Sequence, residues 1–396
     1  TSFPDYMVKV LSPNPAYTYF HHDKCLVGDA PRVAFYDDGL TDLYKLNNRR
    51  KKIIFLSRSI WLYFNAFLVR AGLPVVFLSA KRAGLLQEIS TCDLVFFSGG
   101  GYLTGATLSR LWEGIFFFAY ADIFGVPTVL SGQTVGVWNS AFTKTIARWG
   151  FGKPALITTR DAMDSLVALN ELQICHHNIF SCCDDALFCE KAEDAVTKNI
   201  LTKMNIPPDK SYVVLNFHFW GMNSDEEKNN TLERVAAIVQ MIRDQHDLTI
   251  CCIPMVPSDQ TAMSQLIESR PDLNLILLQY DYDFRIVRGV ISHSRICITM
   301  KHHPIIFALG EGVPVISLTK GSYYQHKNVG ALQLFGLEKF NIDLENKSYL
   351  EAFELIFNKE LSGSEETKKS ILSNFKKLKD ARSRFINELH EILRKT

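Results

Sequence analysis

Along the chain, short runs of consecutive apolar residues alternate with longer stretches in which apolar positions recur every three or four residues. Leu94 to Phe97, Val126 to Leu130 and Leu156 to Thr159 are such runs in the first half; Tyr212 to Phe217, Leu248 to Pro254, Leu273 to Leu278, Arg295 to Thr299 and Val313 to Leu318 are their counterparts in the second. A short run with no polar alternation is a strand buried on both faces, and helical periods between such strands make them parallel. Thr107 to Phe124 and the stretch from Asp161 read as helices. Lys52 to Leu56 reads as a strand before a helix to Arg70, and in AGLPVVFLS Gly72 stops that helix and Pro74 opens another strand. The pattern predicts an α/β protein with two domains in sequence and a cleft between their carboxyl-edge loops. The first spans 1–190. A charged connection containing Pro207 and Pro208 fills 191–210, the second domain spans 211–360, and a helical tail spans 361–396. In that tail Ile371, Leu372, Phe375, Leu378, Phe385, Ile386, Leu389 and Leu393 fall at the spacing of one amphipathic helix, whose mixed charges fit a solvated outer face. The first thirty residues, with Pro4, Pro13, Pro15, His21 and His22, show no regular pattern.

Composition narrows the chemistry. A chain of 396 residues is long enough for two cores, and 43 basic residues against 42 acidic ones imply no general affinity for nucleic acid, so anion binding must be local. The nine cysteines include no C-x-x-C pair, and neighbours such as Cys251 and Cys252 fit buried thiols in a reducing compartment. Cys175, His176, His177, Cys182 and Cys183 match no zinc spacing, so no metal is expected. The apolar runs near Ile115 to Tyr120 and from Ile60 to Val69 are cut short by Asp122 and by Arg58 and Arg70, below the roughly 20 residues of a spanning helix. A cytoplasmic location is the expectation.

Several strand ends carry polar motifs. Lys301, His302 and His303 form a cationic corner between a strand and a helix predicted to begin near Pro304, where unpaired amides and the helix dipole favour a phosphate or carboxylate. A histidine there can move a proton near neutral pH. Tyr323, Tyr324, Gln325, His326 and Lys327 follow the next strand and add cationic and hydrogen-bonding groups on the same side. In SGGGYL, Ser98 and the glycines Gly99, Gly100 and Gly101 remove side chains from a turn, so that backbone can approach a ligand; a tight strand-to-helix turn accounts for the same residues. In SGQTVG, Gln133 and Thr134 offer neutral hydrogen bonds to sugar hydroxyls, and helix capping is the alternative. Arg160 in TTRDAMDSL suits a carboxylate or phosphate, with Asp161 as a helix cap or as the group that orients it. His218 and Trp220 close the first strand of the second series and fit either a sugar contact or an aromatic core corner; Asp259 and Asp281 to Asp283 read as helix caps.

Taken in order, SGGGYL, SGQTVG, TTRDAMDSL, CDDAL (Cys183 to Leu187) and MKHHPIIFALGEGVPVISL followed by HKNVGALQLFGL resemble the polysaccharide pyruvyl transferase family over roughly Cys92 to Leu337. The resemblance implies two Rossmann-like domains facing across a cleft, a GT-B-like fold. It also implies transfer of a pyruvyl group from phosphoenolpyruvate to hydroxyls of a sugar in a polysaccharide, or in its lipid-linked or oligosaccharide precursor, as a ketal. His303 matches the family histidine, Arg160 one family arginine, and Lys301 stands where the family usually has a second arginine. Lysine keeps the charge and loses the bidentate fork. The resemblance makes His303 and Arg160 catalytic, with Lys301, His302, His326 and Lys327 on the donor and Ser98, Gly99, Gly100, Gly101, Gln133 and Thr134 on the acceptor. Phosphoenolpyruvate is then a substrate, no separate cofactor or metal is needed, and membrane association arises through the acceptor. Two other readings fit the motifs: a glycosyltransferase using a nucleotide sugar on the same scaffold, and a catalytically silent carbohydrate-binding relative.

Overall fold

The computed structural model describes residues 7–12, 26–29, 48–105, 108–138, 140–161, 164–174, 178–207, 210–281, 283–363 and 365–396. His21, His22 and Cys175 to His177 lie outside these residues. Two short strands, β1 (Lys9–Ser12) and β2 (Leu26–Asp29), pair in parallel. The chain forms two compact units, Thr1–Cys182 with Ala381–Thr396, and Cys183–Asp380. Residues 191–210, read as a connection, thus belong to the second unit, where helix Asp194–Lys203 buries Thr197 and Leu201. The division also falls within the last helix, Glu365–Leu393, which buries Ile371 and Leu378 before it and packs Phe385 and Leu389 on Val129 and Leu156 after it.

The first unit is built on a parallel sheet of β3 (Val95–Phe97), β4 (Gly100–Thr104), β5 (Thr128–Gly136), β6 (Leu156–Thr159) and β7 (Ile179–Ser181), ordered β3-β5-β6-β7 with β4 also on β5. A motif read as a turn and one read at a strand end are both strand. β3 pairs with Thr128 to Leu130 and β4 with Gln133 to Gly136, so SGGGYL interrupts one line of pairing only at Ser98 and Gly99. Ser131 and Gly132 do not end β5. Gly132, at φ 51°, lets the β5–β6 register shift between Leu130 and Gln133, and the strand continues to Gly136. Leu111, Ile115 and Phe118 of helix Leu108–Phe124 fill the core against the sheet.

Two other expectations change. Lys52 to Leu56 is helical, part of Asn48–Arg70, because an apolar run this short satisfies either period. No strand follows Pro74: Val76 donates its N–H to Asn65 Oδ1 at 2.7 Å and accepts from Trp61 Nε1 at 3.1 Å, so its backbone groups are taken by helix side chains. The continuous helix also lengthens the apolar run. Ile53–Arg70, with a mean hydropathy of 1.3, is long and apolar enough to cross a membrane by length and composition, although 28% of that window is buried inside the unit.

The second unit carries a six-stranded parallel sheet: β8 (Tyr212–Asn216), β9 (Thr249–Cys252), β10 (Ile276–Leu277), β11 (Cys297–Thr299), β12 (Val315–Thr319) and β13 (Asn341–Asp343). Their order is β10-β9-β8-β11-β12-β13. Counted within this sheet, that is the Rossmann order 3-2-1-4-5-6, which reverses direction between β8 and β11 and opens a crevice at their carboxyl ends. Burial pushes the Cys251 thiol up to about 12 and raises those of Cys252 and Cys297 further, so these strand cysteines are inert packing groups.

Candidate active site

The cationic corner stands at this crevice. Asn216 at the end of β8 and Thr299 at the end of β11 are fully buried and bonded, Thr299 Oγ1 to Asn216 Oδ1 at 3.1 Å. Thr299 Oγ1 also accepts the N–H of Lys301 at 2.9 Å, which fixes the chain as it leaves the strand. The helix then begins at His302, two residues before the expected start, and runs to Gly310 with Lys301 as its N-cap. Pro304 falls inside the first turn, where its missing N–H would have no intrahelical partner in any case. Pro304 has no N–H, so the amides of this helix end are those of His302 and His303.

The three corner side chains separate. Lys301 is 19% exposed, and its Nζ lies 2.9 Å from Oδ1 of Asp259, which is wholly buried. Asp259 caps helix Pro257–Ser269 through Oδ2, which accepts from the N–H groups of Met255 and Val256. Its cap role is as read, and holding Lys301 is an addition. Lys301, expected to meet an anion, also shares its charge with this carboxylate. His302, expected to contact substrate, is buried at 3% exposed, with Nε2 at 3.2 Å from Asp184 Oδ2 in the CDDAL segment. His303 is exposed, its ring turned 74° from that of His302 and 6.3 Å from Phe307.

Helix Ser322–Gln333 brings the downstream groups. Buried Asn328 donates to Met300 O and to Ser317 Oγ, both at 3.1 Å, which locks this helix to the corner. Its neighbour Lys327 is half-buried, and His326 is exposed. Lys327 and Lys301 both act on His218, the residue sequence reasoning left between a sugar contact and a core corner. His218 is 1% exposed. Burial, then the charges of Lys301 and Lys327, hold its pKa near about 3. Its Nδ1 accepts the N–H of Trp220 at 3.0 Å, so the neutral ring carries its proton on Nε2. Among the described residues no acceptor meets that N–H.

A hollow of about 370 Å³ opens beside it, lined by His218, Trp220, Met300, Lys320, Tyr324 and Glu227 among others. Tyr324 lies against both aromatic neighbours, 4.8 Å from the His218 ring and 5.6 Å from that of Trp220. His303, His326 and Lys327 do not line the hollow. Lys320 and Gly321 follow β12 directly, and His218 follows β8 by two residues; a position just past a strand's carboxyl end was the available signal for both. The ring of His218 also makes stability depend on pH. The unfolded ring takes a proton near pH 6.5 and the folded one only near about 3, so its contribution is whole above pH 6.5 and is lost as pH falls through that window. Between pH 6.5 and 5, His218→Gln is expected to lose about 2 kcal/mol less stability than the wild type, read from urea unfolding at each pH; equal losses would contradict the neutral buried ring.

The first-unit candidates meet around β5. Gln133, fully buried, donates from Nε2 to Ser98 O at 2.6 Å, and Tyr102 OH donates to the same carbonyl at 2.9 Å. A side chain on Gly100 would lie 2.2 Å from the Tyr102 ring, so the space the glycine leaves is filled by Tyr102 rather than open to a ligand. Arg160, expected to grip a carboxylate or phosphate, is 3% exposed, and its Nε donates to Thr134 Oγ1 at 2.8 Å. Asp161 caps helix Asp164–Glu171 by accepting the N–H of Ser165 at 2.8 Å. Ser98, Gln133, Thr134 and Arg160 are thus one bonded group within this unit.

The sequence model for polysaccharide pyruvyl transferases matches residues 21–322. The chain belongs to that family. No curated protein sequence matches it. Among solved structures it is similar to a glycosyltransferase from Rickettsia africae, at 12% identity over 98% of this chain and 90% of that one, with a TM-score of 0.55. It is also similar to S. aureus MnaA solved with UDP, at 12% identity over 92% and 89% with a TM-score of 0.51, and to Anabaena HepE solved with UDP and glucose, at 13% identity over 98% of each chain with a TM-score of 0.50. At these identities the likeness concerns the fold. This pyruvyl transferase family member therefore has the GT-B-like fold of two Rossmann-like units.

Proposed function

We propose that the protein transfers the pyruvyl group of phosphoenolpyruvate to two hydroxyls of a sugar in a polysaccharide, or in its lipid-linked or oligosaccharide precursor, forming a ketal. The observation that carries this reading is the β8–β11 crevice, where the unmatched Nε2–H of His218 and the charges of Lys301 and Lys327 collect in a chain of this family. Lys327, the first-turn amides of His302 and His303, and the Lys301–Asp259 pair hold phosphate and carboxylate; Lys320 and Nε2–H of His218 are the donors on the hollow side. His303, exposed at the corner, delivers a proton to the methylene carbon. The double-bond electrons form that C–H bond and leave oxocarbenium character on the central carbon. One sugar hydroxyl adds there, the bond to the phosphate oxygen breaks, and a second hydroxyl closes the ketal. Of the two hydroxyl protons, one restores His303 and the other leaves with phosphate.

The test is mass spectrometry of candidate oligosaccharides after incubation with phosphoenolpyruvate and, separately, with nucleotide sugars. The expected product has gained one pyruvic acid less water; transfer of a hexose from a nucleotide sugar instead, or no change with any acceptor, would favour the glycosyltransferase or the silent relative.

A further inference from the structure

We infer that helix Asn48–Arg70 docks the protein on an anionic lipid surface. One face of this helix is committed to the first unit: Phe55, Leu62 and Ala66 are buried, Asn65 is tied to Val76, and Ser59 O accepts from Tyr120 OH. That face keeps the helix from crossing a bilayer. The opposite face is apolar too, with Ile53 61% exposed, Ile60 54%, Phe64 48% and Phe67 49%, all within a narrow arc at helical spacing, and Trp61 stacked on Phe64 beside them. Just past the helix end, Phe77 is 90% exposed and held at φ 48°, a backbone region that bulky residues rarely adopt. A helix apolar on both faces, with only one covered by the described residues, fits an interfacial element.

Charge selects the occupant. The helix sequence NRRKKIIFLSRSIWLYFNAFLVR holds six basic residues and no acidic one, in a chain whose net charge is only +1. Anionic headgroups complement such a helix. A second copy meeting this face with its own would instead oppose two such helices.

Full-length protein is mixed with vesicles of phosphatidylcholine alone or with phosphatidylglycerol, and binding is read by co-sedimentation and by the emission of its tryptophans. The expected result is binding about tenfold or more stronger to the anionic vesicles, weakened by salt, with a blue shift. Phe64→Glu with Phe67→Glu should abolish it, and Phe77→Ser, at a side chain that packs on little, should weaken it while the melting temperature holds. Binding unchanged by these variants overturns the inference, as does a wild-type dimer, without vesicle binding, that the double variant converts to monomer. Neither readout involves phosphoenolpyruvate, so failure here leaves the proposed reaction standing.

Discussion

His303→Ala is expected to lower kcat for pyruvyl transfer by about 10²- to 10⁴-fold, the range for removal of a general acid, with little effect on folding. Its ring is exposed, and substitutions at exposed side chains usually stay within about 0.5 kcal/mol of wild type. The adjacent His302→Ala inverts the pattern. That ring is buried against Asp184, and its loss leaves a buried carboxylate short of a partner, so stability falls before chemistry does. Steady-state kinetics and urea unfolding on both variants separate the two residues. Equal kcat in wild type and His303→Ala would remove His303 from the reaction.

Arg288→Ala is expected to cost the second unit about 3–5 kcal/mol, the range for breaking a buried ion pair by removing one partner. The Arg288 side chain is 5% exposed, and its Nε lies 2.7 Å from Glu311 Oε1. Its two terminal nitrogens donate to Ala186 O at 2.9 Å and Leu187 O at 3.1 Å, and the guanidinium sits 5.7 Å from the centre of the Phe307 ring. One side chain thus ties CDDAL to the helix that follows the corner, at the opposite end from the His302–Asp184 contact. A side chain on Gly310 would approach Arg288 Nη2 to 2.7 Å, so that glycine makes room for it. Chemical denaturation checks the figure; a loss below about 1 kcal/mol would mean the pair is no more than a surface contact.

The sequence was most legible where strands are buried on both faces. Leu156 to Thr159 matches β6 residue for residue, and the runs of the second half locate β8, β9, β10, β11 and β12 to within a few residues, because apolar composition alone defines such strands. It was least legible where glycine has two uses. SGGG and SGQ look like turns by composition, and only register shows that Tyr102 covers Gly100 and that Gly132 bends a continuing strand. The corner was found from Lys301, His302 and His303, yet their division of labour depends on partners distant in sequence: Asp259 for Lys301 and Asp184 for His302. No local spacing encodes those pairs. CDDAL, read as a family motif, is a structural brace in the described contacts.

The most direct test of the donor site is calorimetric titration of phosphoenolpyruvate into full-length wild-type protein and Lys327→Met. Saturable heat with phosphoenolpyruvate, weakened about tenfold or more in Lys327→Met, and no heat with nucleotide sugars is the predicted result. Heat with a nucleotide sugar only, or phosphoenolpyruvate binding that ignores Lys327, would contradict it.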